Sequence, residues 1–224
     1  MGKNKVRFGL KNVHTAIVTE TTQSGVTTSA YSTPVAFPGA VSLNVNEASG
    51  DNSVFRADDM DYYIVQGSSQ GFDGDYECAE IPEAFEIDVL GARKDDNGVI
   101  CETADDVIKY VALLFEIDGD NSGRRYCVPK VLFKKPGIAA ETTGTDGKQP
   151  KTRTLNFTAS PRPDDNMARF HTGETTGTAT FNSWFDSVYT PSFTNSQNDQ
   201  NDQEDQNDQE DQNDQNDQNN QEEE

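Results

Sequence analysis

Runs in which every second residue is apolar recur along this chain, and they constrain its fold more than any other feature. Val6, Phe8 and Leu10 form one such set; Val41, Leu43 and Val45 another; then come Tyr76 and Cys78, and Leu155, Phe157 and Ala159. At a spacing of two, side chains on an extended backbone share one face. The runs are rich in Val, Ile, Thr, Phe and Tyr and are cut by Gly, Pro, Asn and Asp, which is the pattern of antiparallel β structure. Between Asp106 and Asp118 the run VIKYVALLFEI is more continuously apolar, as expected of a strand covered on both faces. It is assigned as the central strand.

Two segments break the period of two. From Pro82 to Gly91, a proline suits a first helical turn, Glu83 and Glu86 favour the positive helix end, and Gly91 can take the left-handed cap. A short helix is expected there, packing through Ala84, Phe85, Val89 and Leu90. Phe181 to Tyr189 places Trp184, Phe185, Val188 and Tyr189 at helical spacing before Pro191, and should close the domain. Asp95-Asp96-Asn97-Gly98 and Asp118 to Gly123 are expected as tight turns. Asn46 to Asp61 and Lys134 to Lys151 are polar and without a sustained apolar period. They are expected as long loops, where contacts with other subunits would be sought.

From Asn195 onward every residue is Asn, Ser, Gln, Asp or Glu, running from Asn198 as NDQ NDQ EDQ NDQ EDQ NDQ NDQ NNQ EEE. A segment with no apolar side chain cannot offset the entropy of ordering, and a period of three fits neither a helix nor a heptad. The expectation is a β domain over residues 1–194 and a disordered acidic tail over 195–224. Twelve of the 39 acids and none of the 18 bases fall in that tail, so the formal charge of −21 divides into −12 and −9. Neither part has the basic excess with which a nucleic-acid-binding protein displaces counterions. The longest apolar stretch is far short of the roughly 18 residues of a membrane span. Met1 to Phe8 carries bases with no apolar run behind them, so no secretory signal and no membrane partner are expected.

Chemistry is sparse. Asp118, Asp120, Ser122 and Gly123 match the opening of a calcium loop, but position twelve is Pro129, and Arg124 and Arg125 stand where oxygen ligands belong. A hairpin turn is the better reading. His14 and His171 are the two histidines, in no recognisable setting, and HExxH, GxSxG, GxxxxGK[ST] and GxGxxG are missing. Acid pairs such as Asp58-Asp59, Asp105-Asp106 and Asp164-Asp165 read as solvated surface, and the sequon Asn156-Phe-Thr158 as strand. Cys78, Cys101 and Cys127 lack metal spacing and read as reduced, buried thiols. Tyr62, Tyr63, Phe72, Tyr76 and Trp184 could build a sugar-stacking platform, although aromatics on alternating strands are more often core. No catalytic, cofactor-binding or metal residues are assigned, and no cofactor is expected. By themselves the residues define an acidic, mostly β domain with one or two short helices and two long loops.

Several stretches together resemble the major tail proteins of siphoviruses, in particular phages of Gram-positive bacteria. They are VRFGLKNVHTAIVTE (Val6 to Glu20), TPVAFPGAVSLNV (Thr33 to Val45), the segment Val54 to Gly91, DDNGVICE (Asp95 to Glu102), YVALLFEIDG (Tyr110 to Gly119), TLNFTASPRPDD (Thr154 to Asp165) and FNSWFDSVYTP (Phe181 to Pro191). The resemblance implies a mainly β, antiparallel sandwich or barrel-like tail tube fold with a flanking helix. It implies a homo-oligomer in hexameric rings, stacked into a tube around the tape-measure protein and meeting other tail proteins. DNA would transit its lumen without specific binding. It also implies a virion tail location, assembly in the host cytoplasm and no enzymatic activity. The acidic C-terminus departs from that family, some members of which carry an immunoglobulin-like domain there. A β-sandwich adhesin or carbohydrate-binding module is the alternative.

Overall fold

A computed structural model describes residues 4–49, 53–57, 59–65, 69–140 and 150–193. In chain order the elements are β1 (Arg7–Gln23), β2 (Val26–Tyr31), β3 (Val35–Ala36), β4 (Ala40–Ser49), β5 (Ser53–Ala57), β6 (Met60–Val65), β7 (Ser69–Cys78), α1 (Glu83–Asp88), β8 (Arg93–Lys94), β9 (Ile100–Cys101), β10 (Val111–Gly119), β11 (Arg124–Phe133), β12 (Arg153–Ala159), β13 (Phe170–His171), α2 (Thr178–Asn182) and a 3₁₀ turn at Ser183–Phe185. All strand pairs are antiparallel. The main sheet runs β2-β1-β10-β11-β12-β7-β4, with β3 also on β1 and β13 also on β11, and it is not closed into a barrel. The body extends to Tyr189; beyond it, Thr190 to Phe193 carry neither helix nor strand, and the acidic repeat lies outside the described residues.

The run at β10 is apolar because the strand is covered twice. Val111, Leu113 and Phe115 join the larger core with Val13, Tyr76, Cys78, Phe85, Val128, Val131, Phe133, Leu155 and Phe157. Ala112 and Leu114 point the other way, with Ala16, Cys127 and Trp184. The strand starts only at Val111, since Val107 and Tyr110 are exposed ahead of it. Lys109 N donates instead to the Val89 carbonyl at 2.9 Å.

Both helices form, with corrections to their faces and ends. In α1, Phe85 is buried and Val89 and Leu90 follow it into the core, whereas Ala84 is exposed. Gly91 takes φ +82 beside the Val107 backbone, where a Cβ would collide. At the other end α2 begins three residues before Phe181, and the 3₁₀ turn stops at Phe185, leaving Tyr189 outside any helix and 41% exposed.

Bulges explain two exceptions to strict alternation. The β1–β10 register shifts between Arg7 and Leu10, so Leu10 packs inward while Val6 and Phe8 are exposed. A shift between Ala40 and Ser42 likewise expels Val41, while Leu43 and Val45 pack. Tyr76 and Cys78, and Leu155, Phe157 and Ala159, keep to one buried face as expected. Pro129 lies fully buried within β11. A proline there cannot donate to a ladder, and it stands at the break in pairing with β10 between Val128 and Val131.

The described residues of the segment Asn46 to Asp61 are strand and a turn, not a long loop. Asn46 to Ser49 continue β4, and β5 pairs with β6 as a hairpin turning at Asp59, φ +59. Polar composition concealed it, because ladder hydrogen bonds need no apolar side chains. Lys134 to Ala140 and Pro150 to Thr152 are irregular, as expected, and the rest of that loop lies outside the described residues. Asp95 to Gly98 closes the β8–β9 hairpin, with Asp95 Oδ1 accepting from Asn97 N at 2.9 Å and Val99 N at 2.7 Å. The backbone hydrogen bond from Val99, and then that from Asn97, hold the Asp95 carboxyl below its ordinary range.

Candidate assembly surfaces

Three strands carry a regular polar surface. On β7 the core side takes Phe72, Gly74, Tyr76 and Cys78, so Asp73, Asp75 and Glu77 stand in a row on the opposite face. In register beside them are Asn46, Asn44 and Ser42 on β4, and Thr158, Asn156 and Thr154 on β12. Asn44 Nδ2 donates to Asp75 Oδ2 at 3.0 Å and Ser42 Oγ to Glu77 Oε2 at 3.0 Å. Hydrogen bonds from Thr152 and then Ser42 lower the Glu77 pKa, so this acid stays ionised. The nine positions therefore hold three carboxylates, three amides and a hydroxyl-bearing border, with no cation among them. Acids at every second position of FDGDYEC carried this signal in the sequence.

The sheet ends are the second surface. β2 is hydrogen-bonded on one side to β1, and β4 on one side to β7, leaving a row of backbone donors and acceptors at each end among the described residues. Beyond Ile17, β1 leaves β10 and continues with β2 alone as a ribbon, turned by Ser24 (φ 51) and Gly25 (φ 83). The ribbon rests on the body through Glu20 with Lys130 and through Ser29 N to Asp164 Oδ2 at 3.4 Å. Arg162, 2% exposed, holds the SPRPDD turn by pairing with Asp164 and Asp165. The pair Asp164-Asp165 is thus engaged, not simply solvated.

Clusters that sequence patterns did not single out are structural. Glu116, 5% exposed, accepts from Arg125 Nε at 3.0 Å and Asn12 Nδ2 at 3.1 Å, with Lys11 Nζ at 3.4 Å. The Arg125 guanidinium lies over the Phe181 and Phe185 rings and donates to the Phe181 carbonyl, which ties α2 to the sheet. One acid inside an apolar run was the available clue.

His14 stacks on Phe185 at 4.7 Å and His171 lies 5.1 Å from Tyr126. Asp118 and Gly119 still belong to β10, and Asp120 to Gly123 join it to β11, which holds Arg124 and Arg125. Among the described residues no three His, Cys, Asp or Glu side chains group as metal ligands. Asn156 to Thr158 lie in β12. Cys78 and Cys127 are buried, but Cys101 is exposed on β9, a correction that follows from the hairpin standing outside both cores. Phe72, Tyr76 and Trp184 are core residues and offer no platform for a sugar; the side chains of Tyr62 and Tyr63 lie outside the described residues. No helix among the described residues is long and apolar enough to cross a membrane.

An antiparallel β body with open sheet ends and an ordered polar face has the architecture of a structural subunit built to join others. The family model for phage tail tube proteins matches residues 2–165, and the chain belongs to that family. It is a structural protein of the virion tail that assembles into the tube with other tail components. A search of curated proteins gives no match. The family match ends at Asp165, ahead of β13 and α2.

Proposed function

We propose that this subunit forms rings, six copies in each, that stack in the host cytoplasm around the tape-measure protein and later conduct double-stranded DNA. The row Asp73, Asp75 and Glu77 is the observation that carries this reading. It is ordered, faces away from the core and adjoins the open end at β4. Turned to the lumen, it would repel the phosphate backbone. A basic wall would bind DNA by releasing counterions and would arrest it, most strongly at low salt. Joining of β2 and β4 ends between copies would satisfy the backbone groups left open in a single subunit. Residues 195–224 lie outside the packed domain in this reading and act as a charged, solubilising extension, supported by their composition. Nothing in this arrangement calls for a catalytic site or a cofactor.

The test is a density map of the assembled tube with DNA-binding measurements. Parent tubes should bind no DNA at low ionic strength, and tubes carrying Asp73→Lys, Asp75→Lys and Glu77→Lys together should retain it. A map placing this row on the outer wall would refute the lumen assignment, and a protein that forms neither rings nor tubes would refute the conduit.

A further inference from the structure

We propose, building on that reading, that the N-terminal end of β1 in one copy docks into an apolar groove beside α1 in a second copy, joining subunits head to tail. The groove is floored by Phe37, Phe85 and Val89 and walled by Ile17, Val35 and Ala84. Val35 is 61% exposed and Ala84 is exposed too, so apolar surface continues onto the rim. At the other end of β1, Val6 and Phe8 are 51% and 62% exposed and alternate with the exposed cations Lys5 and Arg7. Such a strand end offers apolar side chains to fill a slot and positive charges to meet its border. That border carries the exposed Asp88 in the groove itself; Glu86 is on the same short helix, and Glu83 there is already paired with Lys94. In a body of net charge −9, a basic and apolar segment facing an acidic and apolar groove is a complementary pair.

Their placement decides what kind of contact they make. Arg7 is in register with Gly119 at one end of β10, and Ile17 with Val111 at the other. Phe8 and Ile17 are nine residues apart along one strand, roughly 25–30 Å. One copy cannot bring its own strand end into its own groove without dismantling β1. Two different patches at opposite ends give a heterologous contact, which repeats in one direction and leaves a free patch at each end. A subunit that stacks layer upon layer requires that property. Joining of sheet ends within a layer does not supply it.

The experiment uses the full chain under conditions where the parent polymerises. Phe8→Ser and Ala84→Trp, the second filling the groove, are both at exposed positions, so each variant should fold with the parent's thermal midpoint. Each should raise the concentration needed for polymerisation about tenfold or more, leaving single rings or free subunits. For direct proof, Cys101→Ser removes the exposed thiol, and Phe8→Cys and Ala84→Cys are then made in separate proteins. Mixed and oxidised under polymerising conditions, the two should give a cross-linked dimer; a chain with both cysteines should give a ladder of multimers. Tubes that form normally from Phe8→Ser and Ala84→Trp, with no cross-link, would overturn this contact while leaving the tube reading intact. A parent that does not polymerise at all would overturn both.

Discussion

Gly123 stands against Glu116 so closely that a Cβ on it would run into the carboxylate Oε1. The missing side chain leaves room for the acid to lie between Arg125, Asn12 and Lys11, its buried charge met by two cations and an amide. Glu116→Ala would strand the half-buried Arg125 and should cost about 3 kcal/mol, the low end for breaking a buried pair because Arg125 keeps its Phe181 contacts. Gly123→Ala should cost about 1–3 kcal/mol by displacing the same carboxylate. Urea unfolding measures both, and a Gly123→Ala protein as stable as its parent would mean that the site yields freely.

Trp184 fills a socket lined by Ala16, Ala112, Leu114 and Cys127, and its Nε1 donates to the Tyr126 carbonyl at 3.4 Å. Trp184→Ala should cost about 3–5 kcal/mol, as large aromatic truncations do. It should also uncover Cys127. In the native parent one thiol, Cys101, should react promptly with a disulfide reagent, and three in denaturant. Burial pushes Cys78 up to about 11 and Cys127 higher still, so neither supplies thiolate at neutral pH. A second native thiol reacting in the Trp184→Ala protein, and not in the parent, would show that the 3₁₀ turn is the cover.

The acid side of the stability profile should be set by paired carboxylates. Lys135 and then Thr103 hold the Asp106 carboxyl far below its ordinary 3.8, Lys11 lowers Asp118, and Arg162 lowers Asp165. A group whose folded pKa lies below its unfolded value favours folding when ionised. Its contribution is complete above about pH 5 and is lost as pH falls through 3.8 toward the folded value. Burial raises Glu86, which acts in the opposite sense. Thermal scans should show stability declining below about pH 5. Asp106→Asn should be less stable than the parent at pH 7 and fall less steeply in acid; a parallel decline would place the pH sensitivity elsewhere.

Ending the chain at Thr194 should leave folding and tube formation intact, because a segment without apolar side chains has nothing to pack. If the tail's twelve acids restrain assembly by repulsion, the shortened protein should polymerise faster at low salt. That gap should close as salt rises, since exposed charges are screened beyond about 8 Å at 0.15 M. Loss of folding or of tubes on truncation would show that the triplets make ordered contacts.

Much of the fold was legible where burial and period agree. Tyr76 with Cys78, and Leu155, Phe157 and Ala159, alternate because one face meets the core. Phe85, Val89 and Leu90 mark α1. Legibility failed at Val6, Phe8 and Val41, where bulges shift the register, and at Asn46 to Asp61, where backbone pairing made a hairpin from a polar stretch. The candidate surface was half visible. Alternating acids in FDGDYEC can be read directly, but their neighbours on β4 and β12 are some thirty and eighty residues away.

The sequence alone determined that the chain is a mainly antiparallel β protein and that its central run is covered on both faces. These follow from side-chain period and apolar content, which are local properties. Tertiary structure decided which strand neighbours which, and therefore that Asp73, Asp75 and Glu77 lie among amides and hydroxyls instead of cations. It decided that Glu116 is matched by Arg125 and that Phe8 and the groove at Ile17 stand at opposite ends of the β1–β10 pairing. Strand order and register arise from packing between segments far apart in the chain, and no local pattern encodes them.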